Sequence, residues 1–142
     1  MEKLRVFIDG ASRGNPGDAG IGIVMLDEKG NVLKEVSDYI GQTTNNIAEY
    51  TALVTALKEA LEMGCEEIEV FSDSELMVKQ INGEYQIKNE GIKRLYNQVT
   101  QLVQEFKKFS INHIKREQNK RADELANEGI DLALNDEEVI DI

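Results

Sequence analysis

Two short apolar segments of this chain each end in an aspartate, and no other feature constrains the fold as strongly. The first is Leu4–Ile8, followed by Asp9, and the second is Ile68–Phe71, followed two residues later by Asp73. An apolar repeat of 3.6 residues lies between them and stops at Gly64, which predicts a helix. Strands joined through a helix are expected to be parallel, with a right-handed crossover. As neighbours, they would place Asp9 and Asp73 about 4.8 Å apart at their carboxyl ends, where open α/β sheets bind ligands.

The remaining patterns predict an α/β fold with one mixed five-stranded sheet. The order is three strands, a helix, a strand, two helices, a strand and a last helix, so helices cover the faces of the sheet. The first three strands are expected to be antiparallel, with a turn-rich loop at Gly10–Gly17. Ser74 is a candidate cap for the second helix. The predicted strands are Leu4–Ile8, Gly20–Leu26, Val32–Ile40, Ile68–Phe71 and Phe109–Ile114.

The chain of 142 residues has the size of one domain, and its 41% hydrophobic and 30% charged residues are typical of globular proteins. We predict a catalytic domain at residues 1–129 and an acidic tail at residues 130–142, with a frayed helix end before a mobile segment. The longest apolar stretch, Ile21–Leu26, is far shorter than the roughly 20 residues that span a membrane. Cys65 is the single cysteine and cannot form an internal disulfide. We therefore expect a soluble, cytoplasmic protein without a membrane partner, and nothing requires more than a monomer.

Four acidic residues lie at the ends of separate predicted elements: Asp9, Glu49, Asp73 and Asp123. Glu49 and Asp123 are expected in the first turns of their helices, whose amino ends favour anions. Each residue alone is more often a helix cap or a turn residue than part of a site. Together they would repel one another unless one is protonated or a cation lies between them. Oxygen ligands of this kind suit Mg²⁺ or Mn²⁺, and the sequence has no Cys or His cluster with zinc spacing.

The net charge of −11 does not exclude a nucleic-acid partner. The tail contributes −5, which leaves −6 on the rest of the chain, and two bound Mg²⁺ ions would bring this to −2. Local basic patches matter more for binding than the total charge. One candidate patch contains six basic residues and the acidic residue Glu117, which together give a local charge of +5. The basic residues are Lys107, Lys108, Lys115, Arg116, Lys120 and Arg121.

Four motifs in the chain resemble those of type I ribonuclease H, in the family's order and over residues 4 to about 128. They are DGASRGNPG at residues 9–17, TTNNIAE at residues 43–49, SDS at residues 72–74 and NKRADELA at residues 119–126. The resemblance implies the strand order 3-2-1-4-5. It also implies endonucleolytic hydrolysis of the RNA strand of an RNA/DNA hybrid, leaving 5′-phosphate and 3′-hydroxyl ends.

The same resemblance implies roles for the four acids. Asp9 would bridge two Mg²⁺ ions, Glu49 and Asp73 would hold one of them, and Asp123 would hold the other, with Mn²⁺ able to substitute. Such a pair of ions suits in-line displacement at phosphorus. The glycine-rich loop would approach the RNA strand, whose 2′-hydroxyl distinguishes it from DNA. The expected substrate-binding residues are Gly10, Ser12, Arg13, Asn15, Thr44, Asn45, Asn46 and Ser74; helix capping is a simple alternative for the two asparagines of the TTNN segment.

Two departures from the family pattern indicate a compact branch of the family. The loop at residues 116–119 is short and lacks the histidine of many members; His113 lies before it, in a predicted strand, and we interpret it as structural. Arg116 or Glu117 is a candidate replacement. The short connection at residues 83–91 leaves no room for the family's basic protrusion.

Two alternative functions remain open. The same fold with its short loop also suits double-stranded RNA as a substrate. A non-catalytic nucleic-acid-binding module would require the loss of a metal carboxylate, and none of the four is lost.

Overall fold

The computed structural model describes residues 2–140, and the side chains of residues 2–135. One mixed sheet has the strand order β3-β2-β1-β4-β5. β1 and β2, and β2 and β3, are antiparallel, whereas β4 is parallel to both β1 and β5. The predicted sheet is therefore confirmed. Its strands are β1 Lys3–Ser12, β2 Gly17–Leu26, β3 Val32–Thr43, β4 Glu67–Ser72 and β5 Lys108–His113. The helices are α1 Asn45–Glu62, α2 Glu75–Ile81, α3 Glu90–Val103 and α4 Lys120–Ile140, with a 3₁₀ helix at Arg116–Gln118.

The predicted loop at Gly10–Gly17 is wrong in its bounds. β1 continues through Gly10 to Ser12, which pairs with Ala19 of β2, so only residues 13–16 connect the strands. The ladder hydrogen bonds come from the backbone, and small residues such as Gly10 and Ala11 leave them intact. The carboxyl end of β1 therefore projects beyond Asp9, and the glycine-rich segment is mostly a strand.

The main core lies between the sheet and α1. Alternate residues of β1, such as Val6 and Ile8, are fully buried on this face, and α1 covers them with Leu53 and Leu57. Thr44 caps the start of α1, since its side chain accepts a hydrogen bond from the Ile47 amide. α3 packs on α1 and adds Ile92 and Val99 to the same core. This packing fixes α1 rigidly against the strand that carries Asp9.

The last helix covers the opposite face of the sheet, over β2, β3 and β1. Val24, Ala122 and Leu125 form a small second core there. The predicted boundary between residues 129 and 130 falls inside α4, and Ile130 is fully buried, so the packed part of the helix extends beyond that boundary. The mobile segment predicted near the carboxyl terminus includes residues 141 and 142, which lie outside the described residues.

Within residues 2–140, no helix combines the length and the apolar character that a membrane crossing requires.

Candidate active site

The four predicted acids come from four elements that meet at the carboxyl ends of β1 and β4. Asp9 lies in β1, and Asp73 directly follows β4. The two strands are parallel, with Ile8 in register with Ser72, so the two aspartates are neighbours as predicted. Glu49 reaches the same edge from α1, and Asp123 reaches it from the first turn of α4. All four line one open cleft of about 430 Å³.

Glu49 is brought to Asp9 by an unusually close approach of helix to strand. A Cβ atom at Gly10 would lie 2.2 Å from the carbonyl carbon of Ala48, so only glycine permits this packing. The Gly10 amide donates a hydrogen bond to Oε2 of Glu49, at 3.2 Å. The prediction that Glu49 lies in the first turn of its helix is wrong: Thr44 is the N-cap, so Glu49 lies in the second turn. Its position depends on this contact with Gly10 rather than on the end of the helix.

Asp123 is positioned by a similar contact on the other face of the sheet. A Cβ atom at Gly22, which pairs with Asp9 in the β1–β2 ladder, would lie 2.0 Å from the Ala122 carbonyl oxygen. The glycine therefore lets the first turn of α4 lie directly on β2. Glycines on two adjacent strands thus allow α1 and α4 to pack closely on the sheet, which brings Glu49 and Asp123 to the cleft.

Three of the acids form a tight group, and the fourth lies beside it. Ligand oxygens of Asp9, Glu49 and Asp73 lie within 4.8 Å of one another. We call these three residues the carboxylate trio. Asp9 and Glu49 are only 5% and 4% exposed, whereas Asp73 and Asp123 are half-buried. Asp123 is not part of the trio, but it is close enough for a side-chain hydrogen bond with Asp9.

Burial and mutual repulsion oppose ionisation of the trio. Burial, then the charges of Asp73 and Asp123, raises the pKa of Asp9 from 3.8 to about 8. Burial, then the charges of Asp9 and Asp73, raises the pKa of Glu49 well above 4.5. Burial also raises the pKa of Asp73, while the Arg116 guanidinium opposes that change. In the metal-free protein, burial and repulsion therefore favour the protonated form of Asp9 near neutral pH, and a cation bound to the trio would replace that proton.

The trio fits a hard divalent cation. Octahedral Mg²⁺ with bonds of about 2.1 Å places opposite ligands about 4.2 Å apart. The observed spread of 4.8 Å is close to that distance and within reach of small side-chain rotations. All three donors are carboxylate oxygens, which Mg²⁺ and Mn²⁺ prefer over Zn²⁺-type ligands. The residues present therefore suit the metal that the sequence predicts.

A buried asparagine joins three parts of this site. Asn119 is 2% exposed and immediately precedes α4. Its Nδ2 donates to the Ile8 carbonyl oxygen at 2.8 Å, next to Asp9, and its side chain also hydrogen-bonds Asp73. Its backbone oxygen accepts the Asp123 amide at 3.1 Å. Asn119 therefore fixes β1, Asp73 and the start of α4 relative to one another.

Five of the eight predicted substrate-binding residues line the cleft: Gly10, Ser12, Arg13, Asn45 and Ser74. The Ser12 hydroxyl donates to the Thr43 carbonyl at 2.8 Å, and Ser74 caps α2 by accepting the Met77 amide. Both residues therefore have structural contacts as well as places at the site.

The other three residues, Asn15, Thr44 and Asn46, do not line the cleft. Thr44 is the cap of α1, and Oδ1 of Asn15 accepts the Asn45 amide at 3.3 Å. The cap is therefore Thr44 and neither of the two asparagines for which capping was the alternative, and Asn46 is exposed on the first turn of α1.

The structure adds Asn127 to the site, which the sequence analysis missed. Asn127 lines the cleft, and its Nδ2 donates to the carbonyl oxygen and to Oδ1 of Asp123, at 3.0 and 3.4 Å. Its spacing of four residues from Asp123 in a helix was an available signal, because such residues share a face.

The candidate basic patch is not one surface. Lys107 precedes β5 and Lys115 follows it, so about 20 Å of strand separates them. Lys107 pairs with Glu66, and Arg121 pairs with Glu35 of β3. Of the six basic residues, only Arg116 lines the cleft.

The two departures from the family pattern are visible in the structure. Residues 82–89 join α2 to α3 without a further helix. His113 lies in β5, as predicted, but it is the last residue of that strand; it is exposed and does not line the cleft. Between β5 and α4, Arg116 reaches the cleft and Glu117 does not.

Comparisons with known proteins agree with the fold. A family model described as reverse transcriptase-like matches residues 7–129. Ribonuclease HI of Halobacterium salinarum is 41% identical over 131 residues, which are 92% of this chain and 66% of that protein. The crystal structure of RNase H1 from the same archaeon has a TM-score of 0.89, over 91% of this chain and 98% of that one.

Two further relatives extend these comparisons. LC11-RNase H1, solved in complex with an RNA/DNA hybrid, is 47% identical with a TM-score of 0.87, over 92% of this chain and 99% of that one. A Mycobacterium tuberculosis protein is 39% identical over 92% of this chain but only 36% of its own length. This chain thus spans about two thirds of the Halobacterium protein and about a third of the mycobacterial one.

The fold and its named relatives, several of which are ribonucleases H, define the class of this chain as ribonuclease H-like. More narrowly, the chain belongs to the ribonuclease H family, which confirms the resemblance of its four motifs.

Proposed function

We propose that this chain hydrolyses the RNA strand of RNA/DNA hybrids at the cleft lined by Asp9, Glu49, Asp73 and Asp123. The observation that carries the proposal is the carboxylate trio, which lies within 4.8 Å at the carboxyl ends of two parallel strands. A structural role leaves such buried repulsion without compensation, whereas a divalent cation relieves it. The hybrid bound to LC11-RNase H1 supports the choice of substrate.

The proposed reaction uses two Mg²⁺ ions, which would activate a water and stabilise the leaving oxygen. Asp9 would contact both ions, because both Asp73 and Asp123 are close enough to raise its pKa. Glu49 and Asp73 would complete one position and Asp123 the other. Hydrolysis then breaks the bond from phosphorus to the 3′ oxygen and leaves a 5′-phosphate and a 3′-hydroxyl.

The chain's other residues bind and orient the RNA strand. Gly10 and Ser12 line the cleft beside Asp9, and neither residue has a bulky side chain that would keep the sugar edge of the RNA strand away. A 2′-hydroxyl at this edge would distinguish RNA from DNA. Asn45 lines the same cleft from the start of α1. Arg116, next to Asp73, adds positive charge where the scissile phosphate would lie.

The metal, the oligomeric state and the location are parts of the same proposal. Mg²⁺ is the natural ion, and Mn²⁺, with the same oxygen ligands, substitutes for it. All candidate site residues come from one chain, which supports an active monomer. Cys65 is a buried free thiol, which suits a reducing compartment such as the cytoplasm.

The test is cleavage of a matched set of labelled duplexes in Mg²⁺. The set holds one sequence as an RNA/DNA hybrid, double-stranded RNA, single-stranded RNA and double-stranded DNA. Cleavage confined to the RNA strand of the hybrid is the expected result. Equal cleavage of double-stranded RNA would show that the substrate assignment is wrong while the site assignment stands. Binding without cleavage of any duplex would favour a non-catalytic binding module.

A further inference from the structure

Arg13 links the short β1–β2 loop to the last helix. Its Nη1 atom lies 2.7 Å from Oδ1 of Asp131, and its Nη2 atom lies 3.3 Å from Oδ1 of Asn127. The same Nη2 atom is 3.4 Å from the Asn127 carbonyl oxygen. Arg13 also lines the cleft, whereas Asp131 does not. The guanidinium is therefore held at the rim of the cleft by groups of α4.

The contact extends to the fourth carboxylate. Asn127 accepts from Arg13 through Oδ1 and donates through Nδ2 to Asp123. One amide side chain thus connects the rim arginine to Asp123. A ligand that binds Arg13 would lie directly beside this connection.

The charges at the rim indicate which ligand Arg13 accepts. Four carboxylates line the cleft, and Arg13 and Arg116 are its two lining cations. The Arg13 and Asp131 side chains are 39% and 59% exposed, so the pair faces solvent. Exposed ion pairs contribute little, and a guanidinium binds phosphate with the same planar fork that it offers a carboxylate. A phosphate can therefore replace Asp131 at small cost.

We propose that Arg13 binds a backbone phosphate of the nucleic acid at the rim of the cleft, and that Asp131 occupies its guanidinium until that phosphate replaces it. Asp131 is thus an intramolecular competitor that weakens substrate binding. This inference rests on the proposed function, since it requires a nucleic acid in the cleft. It assigns a role to an acidic residue of α4 that lies beyond the matched residues 7–129.

The chain offers a matched pair of variants for the test. Asp131→Asn removes the competitor, and Glu128→Gln removes one charge from the same helix at a residue that pairs with Arg121 instead. Binding of a fluorescent RNA/DNA hybrid is measured with chelator present, to prevent cleavage, over a series of salt concentrations. Asp131→Asn is expected to lower Kd about two- to five-fold, with a steeper salt dependence, and Glu128→Gln to change it less than half as much.

A double variant makes the result specific to Arg13. Arg13→Gln is expected to weaken binding, and Arg13→Gln with Asp131→Asn is expected to bind like Arg13→Gln alone. Equal effects of Asp131→Asn and Glu128→Gln would overturn the inference, because they would show a general charge effect. Weaker binding by Asp131→Asn would also overturn it, because Asp131 would then orient Arg13. If the wild-type protein neither binds nor cuts the hybrid, the proposed function itself fails.

Discussion

The carboxylate trio and Asp123 line the same cleft, and close helix–strand contacts at Gly10 and Gly22 position both, yet their side chains are held in different ways. Asp9 and Glu49 are buried between strand and helix, and the Gly10 amide fixes Glu49. Asp123 is half-buried on α4, and the polar side chain of Asn127 holds it. The trio, which is the first proposed metal position, is thus part of the buried core. The second proposed metal position, at Asp123, depends on a surface network of hydrogen bonds that reaches Arg13.

This difference separates two tasks of the site. Burial makes the repulsion between the carboxylates of the trio costly without a cation, so the trio is expected to bind a metal ion strongly. The network around Asp123 includes Arg13, the proposed phosphate contact. Substrate binding is therefore expected to affect the geometry of the second metal position. We expect variants of the trio to abolish activity and variants of the network to reduce it.

The largest expected effect is that of Asp73→Asn. The change removes one ligand of the trio, and hydrolysis should fall at least about 1,000-fold, because metal ligation contributes several kcal/mol to transition-state stabilisation. The fold should persist, since a repelling charge is removed. The control is Glu69→Gln on β4, where an exposed pair with Arg5 is lost and activity should stay within about two-fold. Substantial cleavage by Asp73→Asn would contradict the site assignment.

Gly10→Ala tests the contact that builds the trio. The added methyl would lie 2.2 Å from the backbone of α1, so the helix must shift. We expect a loss of about 2–3 kcal/mol in unfolding free energy, measured with urea, and about 100-fold in activity from misplacement of Glu49. Gly91→Ala is the control, because its methyl would meet only side-chain atoms and the stability should change by less than about 1 kcal/mol. Equal effects of the two variants would show that the close approach at Gly10 is unimportant.

Asn127→Ala addresses the second position. Loss of the donor to Asp123 should reduce kcat about 10- to 100-fold, as is usual for residues that orient a metal ligand. The matched control is Asn135→Ala, an exposed asparagine two turns further along α4, which should be neutral. If Asn127→Ala matched Asp73→Asn in severity, the proposed difference between the two positions would be wrong.

The last expected effect concerns stability rather than activity, and it is a pH dependence of the unfolding free energy of the metal-free protein. The pKa of Asp9 is about 8 in the folded protein and 3.8 as its ordinary value, so the folded state holds the extra proton between these pH values. Unfolding free energy should therefore be highest at the acidic end and fall as pH rises toward 8, by up to about 1.4 kcal/mol per pH unit per proton.

Urea unfolding with chelator at pH 4 to 8.5 measures this slope. Asp9→Asn should make it flatter, and Mg²⁺ should restore stability at high pH. The same slope in the wild type and in Asp9→Asn would show that Asp9 is not the titrating group.

The sequence was sufficient for the sheet and for the meeting of the four acids. Apolar runs mark buried strands, and Asp9 and Asp73 each follow one of them, so parallel pairing placed them together. The loop bounds at Gly10 were wrong because backbone pairing continues through glycine. The turn that holds Glu49 was wrong because it depends on where Thr44 caps the helix.

The sequence could not reveal contacts between distant segments. Asn127 and Asp131 meet Arg13 across more than one hundred residues, and no local pattern predicts such a contact. The basic patch was wrong for the same reason. Lys107 and Lys115 are near in sequence, but β5 places them at opposite ends of a strand.

The most direct test of the account is the metal dependence of hybrid cleavage by the wild-type protein. Metal-free protein is mixed with an RNA/DNA hybrid labelled on both strands, and Mg²⁺ is titrated against a chelator. The proposed mechanism predicts no cleavage with chelator, and with Mg²⁺ cleavage of the RNA strand alone, leaving 5′-phosphate and 3′-hydroxyl ends. Cleavage that persists in excess chelator would contradict it, because the buried carboxylates could then have no catalytic need for a cation.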